Sequence, residues 1–314
     1  MTTVGIVGAG AVGSACMFAM ALRGSAREIV LVNRTHERAR GAVADLQYGT
    51  VLGPAVSLRA GQYDDLRGAA IVMITAGVNE QAGGATDRND PAGRLRLLGT
   101  NADVYREVVP AIVAAAPASL LLVVTDPPDP LADVARRLAG HDRVLSSGTF
   151  LDSLRFRFHL GRKLGVDPKS VEAQVVGEHG TSQVYLWSTA RIAGTAFAQP
   201  DAFRREVEHD VRFANISIIE GTGASQLGIG VAAARIVEMI ARDERAVVPI
   251  GSYHDGFGVT LSLPSRLGRD GAAEVLMPPL ADDEARALEE SAATLRRALQ
   301  SIEPGGGEGD DRDA

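Results

Sequence analysis

The chain has 314 residues, of which 46% are hydrophobic and 23% are charged, and its formal net charge at pH 7 is −7. The apolar residues are numerous enough to offset the entropy lost on folding, which excludes a mostly disordered chain, and no apolar run reaches the ~18 residues that span a bilayer. The acidic balance argues against a nucleic-acid partner, which would bind to a basic surface.

In the first half of the chain, short apolar runs alternate with longer segments of helical pattern. The runs predict strands, and the segments between them predict helices. This alternation predicts parallel βαβ units, and the uninterrupted apolar character of the strands predicts a sheet covered on both faces. The fold class is therefore α/β, with a Rossmann-type doubly wound parallel sheet in a dinucleotide-binding domain over residues 1–148. The predicted strands are 3–7, 28–32, 56–60, 71–75 and 119–125, and the predicted helices are 11–23, 36–46, 95–116 and 131–139.

After residue 148 the alternation ends, which predicts a second, substrate-binding domain of α+β type over residues 149–303. The last residues, 304–314, are rich in Gly and Asp and are predicted to form a disordered tail. The helices predicted in this half are 150–164, 202–219, 224–242 and 282–301, with mixed structure at 171–176 and 184–188 and strands and turns over 247–277.

A glycine motif joins the first predicted strand to the first predicted helix. Gly8, Gly10 and Gly13, with Val12 between them, form the pattern G-x-G-x-x-G. In this strand–turn–helix setting the pattern predicts dinucleotide binding, because the glycines allow a tight turn, close approach of the pyrophosphate and close helix–strand packing. The amino end of the helix adds free N–H groups and a partial positive charge.

The residues after the second strand bear on the choice of dinucleotide. An acidic residue about 20 positions after the glycines usually binds the ribose hydroxyls. Here the position is Asn33, followed by Arg34 and Thr35. Without a carboxylate, a 2′-phosphate meets no repulsion, and Arg34 offers a planar fork suited to phosphate. We therefore predict that NADP(H) is favoured over NAD(H); the alternative is that Asn33 still binds the ribose and Arg34 is solvated.

Two further motifs suggest the chemistry. Residues 147–157 read Ser-Gly-Thr-Phe-Leu-Asp-Ser-Leu-Arg-Phe-Arg, and residues 177–182 read Gly-Glu-His-Gly-Thr-Ser. Removing a hydride from a C–OH carbon requires loss of the hydroxyl proton, which a histidine holds near neutral pH when a carboxylate orients it. Asp152 and Arg155 share one face of a predicted helix. Asp152 can then orient His179 while Arg155 binds a substrate carboxylate through parallel hydrogen bonds.

Together with the glycine loop, these motifs resemble the L-lactate/malate dehydrogenase family along nearly the whole chain. The resemblance implies an NAD(P)-dependent L-2-hydroxy acid dehydrogenase with His179 as acid/base, Asp152 as its partner and Arg155 as the carboxylate anchor. It implies that Arg94, on a mobile loop, polarises the substrate carbonyl, with Arg88 and Arg96 as competing candidates. The strand ends at 75–77 and 125–129 are also similar to that family and add Ala76, Gly77 and Thr125 to the cofactor site.

The loop at 78–93 is longer than in lactate or malate dehydrogenases and resembles the L-2-hydroxyisocaproate dehydrogenase branch. This resemblance, with the small Ser225 at a pocket position, implies a substrate side chain larger than methyl. Glu80 and Gln81 stand where malate enzymes place an arginine, which disfavours a dicarboxylate unless Arg88 reaches in. The acidic loop residues are expected to be solvated or, alternatively, to favour a cationic side chain; they are Glu80, Asp87 and Asp90.

Asp126 departs from the family, which has asparagine at this position. A carboxylate only accepts hydrogen bonds, whereas an amide also donates them. Asp126 can therefore accept from a ribose hydroxyl, be protonated, or face a cationic substrate, and these alternatives stay open in the sequence.

Three alternative functions are compatible with parts of the sequence. They are an L-lactate or malate dehydrogenase proper, a dinucleotide-dependent glycoside hydrolase, and a non-catalytic nucleotide-binding protein. No metal site is expected, because Cys16 is the one cysteine and no Cys/His cluster accompanies it. No secretory signal is expected, so the predicted compartment is the cytoplasm. The resemblance also implies a homodimer or homotetramer, with a small 2-oxo or 2-hydroxy acid as the partner.

Overall fold

A computed structural model describes residues 2–303. The tail predicted at 304–314 lies outside the described residues. The helices are α1 (Ala11–Arg23), α2 (His36–Gly49), α3 (Leu98–Ala115), α4 (Pro128–Ala139), α5 (Phe150–Leu164), α6 (Asp201–Arg212), α7 (Ala214–Thr222), α8 (Leu227–Ala241) and α9 (Asp282–Gln300). The strands are β1 (Thr3–Val7), β2 (Glu28–Val32), β3 (Ser57–Gly61), β4 (Ile71–Ile74), β5 (Leu120–Val123), β6 (Val144–Ser146), β7 (Val171–Glu172), β8 (Val175–Val176), β9 (Val184–Tyr185), β10 (Arg191–Ile192), β11 (Thr195–Ala196), β12 (Ala246–His254), β13 (Val259–Gly268) and β14 (Gly271–Val275).

The main sheet has nine strands in the order β14-β13-β12-β6-β5-β4-β1-β2-β3. Its six strands β3-β2-β1-β4-β5-β6 are parallel and follow the Rossmann order, with a switch point between β1 and β4. The predicted α/β fold with a doubly wound parallel sheet is thus confirmed. Ligands of such sheets bind beyond the carboxyl ends of the strands at the switch point.

Both faces of this sheet are buried. In β4, Val72 and Ile74 pack into one apolar cluster with residues of α3, α4 and α9. Ile71 and Met73 point the other way, into a second cluster with residues of α1 and α8. Alternate side chains of one strand therefore enter two cores, which explains why the strand is apolar at every position. No helix within residues 2–303 combines the length and the apolar character needed to cross a membrane.

The second half of the chain is of α+β type, as predicted, but it also completes the main sheet. Antiparallel strands β12, β13 and β14 extend that sheet through the pairing of Gly251 with Ser146 of β6. The sequence placed these strands in a separate domain, because antiparallel pairing to a distant strand has no local signal. The boundary at residue 148 stays a prediction.

The ends of several predicted helices shift by about three residues, and two differences bear on the site. The segment predicted as one helix at 202–219 forms α6 and α7, which are separated at Phe213, where φ is −100° and ψ is 10°. The helix predicted from residue 95 begins at Leu98, because Gly93–Leu97 forms a 3-10 turn. That turn carries Arg94 and so has a direct bearing on the site.

Candidate active site

The glycine loop between β1 and α1 has the backbone that the motif requires. Gly8 has a φ of +117°, a backbone conformation that residues other than glycine rarely adopt. A Cβ on Gly13 would lie 1.9 Å from the carbonyl oxygen of Gly8, so only glycine allows the helix to pack against the turn. Gly10 is the N-cap of α1 and has no side chain that could bind the free N–H groups of the helix. A Cβ at this position would meet nothing within 4 Å. The loop therefore leaves open space at the amino end of a helix, which fits a pyrophosphate.

Asn33, at the end of β2, holds this loop in place. Its Oδ1 accepts a hydrogen bond from the N–H of Ala9 at 2.9 Å, and its Nδ2 donates to the carbonyl of Thr35 at 3.0 Å. Arg34 and Thr35 are exposed beside it. Thr35 caps α2 without a side-chain hydrogen bond, so its hydroxyl and the amino end of α2 face solvent together with Arg34.

Short polar contacts join the end of β4 to the glycine loop and to the end of β5. The Thr75 hydroxyl donates to the carbonyl of Gly8 at 2.9 Å, and the Thr125 hydroxyl donates to the carbonyl of Ala76 at 2.9 Å. A Cβ on Gly77 would lie 2.4 Å from Thr125 Cγ2, so the two strand ends approach as closely as glycine permits. The predicted cofactor residues on these strands therefore lie together at the carboxyl edge of the sheet.

Asn101 of α3 links the same two strand ends, and the sequence reasoning assigned it no role. Its side chain is fully buried, accepts from the N–H of Val78 at 2.7 Å and donates to the carbonyl of Asp126 at 2.7 Å. The signal that could have found it is a polar residue on the apolar face of a helix, since a buried amide needs partners.

His179 contacts Asp152 and Arg94 through its two ring nitrogens. Nδ1 forms a short hydrogen bond with Asp152 Oδ2, and Nε2 forms one with a guanidinium N–H of Arg94. Because an arginine only donates, Nε2 is the acceptor and Nδ1 carries the proton in this arrangement. The structure thus brings together the three residues predicted to be catalytic, with Nε2 on the cavity side.

Arg155 lies on the same face of α5 as Asp152, as the spacing predicts. Its Nη1 donates to Asp152 Oδ1 at 3.0 Å, and its side chain is nearly buried. Burial raises the pKa of Asp152, but the His179 ring, Arg155 and Arg94 outweigh it and hold that pKa below its usual range. Asp152 is therefore a carboxylate at neutral pH, as orienting a histidine requires.

Of the three arginines that compete for the mobile-loop role, Arg94 lines the central cavity. It is 8% exposed, and burial lowers its pKa less than the nearby carboxylates of Asp126, Asp152 and Glu80 raise it. Arg88 instead pairs with Glu220 of α7 on the surface, and Arg96 pairs with Asp90 at 2.7 Å.

Asp126 lies between Arg94 and His179. Its Oδ2 is 3.8 Å from Arg94 Nε, and its Oδ1 is 3.6 Å from His179 Nε2. Glu80 also lines the cavity, which corrects the expectation that the acidic loop residues are all solvated. Burial, and then the neighbouring Asp126, raise the pKa of Glu80. Residues 78–80 line the cleft at the end of β4, whereas Asp87 is exposed. The Asp90 side chain is not solvated either, because it is largely buried against Arg96.

Asp129, at the start of α4, supports the loop that carries His179. It is fully buried, and its Oδ2 accepts a hydrogen bond from the backbone N–H of His179 at 2.6 Å. Its other oxygen forms a short hydrogen bond with the Ser146 hydroxyl. Burial raises the pKa of Asp129 to about 7, against these hydrogen bonds, which lower it. The sequence offered one signal, its place in the Thr-Asp-Pro-Pro-Asp stretch after β5.

We expect Asp129→Asn to flatten the dependence of stability on pH. A carboxyl whose pKa is raised from ~4 in the unfolded chain to about 7 in the folded protein stabilises the fold fully below pH ~4, and that contribution is lost as pH rises through 7. The asparagine amide can keep both hydrogen bonds without titrating. The free energy of unfolding, measured by urea titration at pH 5, 6, 7 and 8, should therefore fall less steeply in the variant. Asp133, whose pKa is raised to about 6, titrates in both proteins and cancels in the comparison. Equal slopes would show that Asp129 is ionised throughout.

One open cleft at the carboxyl edge of the sheet is lined by Glu80, Arg94, Asp126, Arg155 and His179. Ser225 lines it as predicted, and so do Val12 of the glycine loop and Asn215 of α7, the latter missed in the sequence because nothing local marks it. Residues 2–303 contain no cluster of three His, Cys, Asp or Glu side chains that could hold a metal ion.

Two protein-family models match the chain. "Lactate/malate dehydrogenase, NAD binding domain" matches residues 2–145, and "lactate/malate dehydrogenase, alpha/beta C-terminal domain" matches residues 149–304. Among curated proteins, the L-lactate dehydrogenase of Thermus aquaticus is 42% identical over 315 residues, which cover 95% of this chain and 99% of that protein. The L-lactate dehydrogenase of Chloroherpeton thalassium is 39% identical over 310 residues, with the same coverage.

Solved structures agree with these relatives. The minor L-lactate dehydrogenase from Enterococcus mundtii, in its ligand-bound form, has 31% sequence identity and a TM-score of 0.88, covering 96% of this chain and 98% of its own. A lactate dehydrogenase from a Medee basin deep-sea metagenome library has 32% identity and a TM-score of 0.87, with the same coverage.

Proposed function

The chain belongs to the lactate/malate dehydrogenase family, and we propose that it transfers a hydride between NAD(P)H and a 2-oxo acid, and in reverse from an L-2-hydroxy acid. The observation that carries this proposal is the cavity in which His179 contacts Asp152 through one ring nitrogen and Arg94 through the other. Neither a glycoside hydrolase nor a non-catalytic nucleotide-binding protein requires this arrangement, and the family match favours the dehydrogenase over both.

In the direction of oxidation, the side chains divide the work as follows. Arg155 holds the substrate carboxylate through its planar fork. His179 Nε2 accepts the proton of the C2 hydroxyl, and Asp152 stabilises the imidazolium that forms. Arg94 donates hydrogen bonds to the oxygen on C2 as it becomes a carbonyl. In the direction of reduction, the same proton returns from Nε2 to that oxygen.

The residues at the carboxyl edge of the sheet fit a nicotinamide dinucleotide. Gly10 leaves open space at the uncapped amino end of α1, where a pyrophosphate would bind. Val12, Thr75 and Thr125 line the cleft between this loop and His179. The chemistry that the dinucleotide supplies when bound is uptake of the hydride from C2 of the hydroxy acid, or its return.

We further propose a substrate side chain larger than methyl. The relatives named L-lactate dehydrogenase support the smaller substrate, pyruvate, at least as well. The larger side chain rests on the long loop at 78–93 and on Ser225, whose small side chain lines the cleft. Malate is disfavoured, because Arg88 is engaged with Glu220 outside the cavity while Glu80 lies inside it.

The experiment that tests this function is an initial-rate screen of 2-oxo acids, each with NADH and with NADPH. We expect turnover of 2-oxo acids, and a kcat/KM that rises with chain length beyond pyruvate by up to about 3- to 4-fold per buried methylene, from ~0.8 kcal/mol each. A preference for pyruvate would leave the dehydrogenase in place and overturn the larger side chain. Absence of turnover with every acid would overturn the function.

We also propose that NADP(H) is the preferred dinucleotide. Arg34 and the Thr35 hydroxyl are exposed beside the amino end of α2, which adds a partial positive charge for a 2′-phosphate. The carboxylate that would repel this phosphate is replaced by Asn33, whose amide is engaged with the backbone of Ala9 and Thr35.

Unmodified protein should therefore show a KM for NADPH about 10- to 100-fold below that for NADH, from ~1.5–3 kcal/mol for a charge-assisted hydrogen bond. The double variant Asn33→Asp with Arg34→Ala should reverse this order. Arg27→Ala, at the opposite end of β2, serves as the control for loss of an arginine. Equal KM values for the two dinucleotides would show that Arg34 is merely solvated.

A homodimer or homotetramer is part of the proposal. Large apolar side chains are exposed on α1 and α8, two helices in contact with each other: Phe18 is 50% exposed, Leu22 63%, Leu227 70% and Val231 51%. Exposed apolar side chains on two helices that pack together favour association. The cytoplasmic location stays a prediction of the sequence.

A further inference from the structure

Glu80 is an acidic side chain in the active-site cavity that the proposed mechanism does not use. It lines the same cleft as His179, Arg94 and Arg155, and Asp126, which lines that cleft too, is one of the groups that raise the pKa of Glu80. Within residues 2–303, none of the ion pairs involves Glu80 at 4 Å or less. The charge of Arg94 acts on Glu80, but Arg94 is shared with Asp126 and Asp152, and burial and Asp126 still raise the pKa of Glu80. A further cation beside these carboxyl groups would therefore stabilise their charged forms.

The other charged groups of the cavity are already matched. Arg155 pairs with Asp152 at 3.0 Å, and Arg94 contacts both Asp126 and the His179 ring. In the proposed mechanism, Arg155 also binds the carboxylate of the substrate, and Arg94 binds the oxygen on C2. Bringing a substrate carboxylate into this cleft therefore leaves Glu80 and Asp126 with a deficit of positive charge.

We propose that the cavity binds L-2-hydroxy acids and 2-oxo acids with a cationic side chain, whose ammonium or guanidinium group contacts Glu80 and Asp126. This inference rests on the proposed function and names its substrate class. A cation between the two carboxylates would offset their mutual repulsion, and its chain would occupy the space beside Ser225. Asp126, where the family's asparagine would be neutral, then contributes the second half of a cation site.

The reaction stays that of the family. Oxidation breaks the C2–H bond, with the hydride passing to the oxidised dinucleotide, and breaks the O–H bond, with the proton passing to His179 Nε2. The C2–O bond becomes a carbonyl, and the cationic group takes no part in the electron balance. Its contribution is to binding alone, so it should act mainly through KM.

The test compares two hydroxy acids of the same length. L-2-hydroxy-6-aminohexanoate carries an ammonium group where L-2-hydroxyheptanoate carries a methyl group, and hydroxy acids are used because an open-chain amino 2-oxo acid closes on itself. We expect kcat/KM for L-2-hydroxy-6-aminohexanoate to exceed that for L-2-hydroxyheptanoate by about 10- to 100-fold, the contribution of one charge-assisted hydrogen bond. Moderate salt should reduce the ratio only in part, because the pair is shielded from solvent.

Glu80→Gln, which keeps the shape and removes the charge, should lower this ratio by about 10- to 100-fold. The rate with L-2-hydroxyheptanoate is the denominator of this ratio, so a general effect of the substitution on turnover cancels. The matched control is Asp87→Asn, which removes one charge from an exposed position of the same loop and should leave the ratio unchanged. Calorimetric titration of both acids into protein carrying the reduced dinucleotide should give the same order of affinity without turnover.

The outcomes separate the two proposals. If unmodified protein oxidises L-2-hydroxyheptanoate as well as or better than the amino acid, the cation site is wrong and the dehydrogenase stands. If Glu80→Gln leaves the ratio unchanged, Glu80 and Asp126 satisfy each other by sharing a proton, and the inference is overturned. If the protein oxidises no member of a wider hydroxy-acid panel, the proposed function fails and this inference falls with it.

Discussion

Replacing His179 by asparagine should reduce kcat by about 10²- to 10⁴-fold, the usual contribution of general acid–base catalysis. Asparagine cannot take the hydroxyl proton, although its amide can still face Asp152. Folding should be unaffected, because the support of this loop comes from the backbone N–H of residue 179, which donates to Asp129 at 2.6 Å. Steady-state kinetics on the best substrate measures the loss, and fluorescence titration measures dinucleotide binding, which should not change.

The control for this variant is His209→Asn. His209 is exposed on α6, where its ring lies beside Asp210 and Phe213, far from the cavity lining. It should keep full activity. A His179→Asn protein with near-normal kcat would show that another group carries the proton, and the pH profile of that variant would then report the pKa of the group.

Arg155→Gln should lower kcat/KM by about 10²- to 10³-fold, chiefly through KM. Truncating one partner of a buried, hydrogen-bonded charge pair costs ~2–5 kcal/mol, and each 1.4 kcal/mol is a factor of ten. The substrate carboxylate loses its fork, and Asp152 loses the donor at 3.0 Å. Burial already lowers the pKa of Arg155 more than Asp152 raises it, so the site is not an easy place for a charge without a partner.

Two variants sharpen this second prediction. Arg155→Lys keeps the charge but not the planar fork, so it should recover part of the affinity. Arg157→Gln, two residues along α5, changes an arginine that lines a different cavity and should leave KM unchanged. An unchanged KM in Arg155→Gln would place the substrate carboxylate elsewhere, with Arg94 as the remaining guanidinium of the cleft.

Elements with strong local signals could be predicted from the sequence with near-correct ends. The helix predicted at 150–164 matches α5 at both ends, because an apolar face begins after the Ser-Gly-Thr turn and Gly165, with a φ of +68°, stops it. The break at Phe213 could not be predicted, because residues on both sides have helical pattern. Packing of α7 beside the cavity decides it.

Some residues of the candidate site could likewise be predicted from local motifs, whereas the surroundings of others depend on the fold. The motifs around Gly8, Asp152 and His179 are local patterns whose chemistry requires those residue types at those spacings, so the sequence alone indicated dinucleotide binding and acid–base catalysis. The resemblance favoured Arg94 over Arg88 and Arg96 from the sequence, but the surroundings of the three arginines needed the fold. All three lie on one loop, and only the course of that loop shows that Arg88 pairs with Glu220 while Arg94 lines the cavity.

The sequence by itself determined the α/β fold and the glycine loop, because each depends on periodicity or on spacing within one segment. Its motifs and their resemblance to the family predicted which side chains react. Tertiary structure alone decided what lies next to what across segments. It joined β12 to β6, buried Asp129 beneath His179 and brought Glu80 to Asp126 in one cavity. Those contacts link residues distant in the chain, and the burial that raises the pKa of Asp129 and Glu80 exists only once these segments exclude water together.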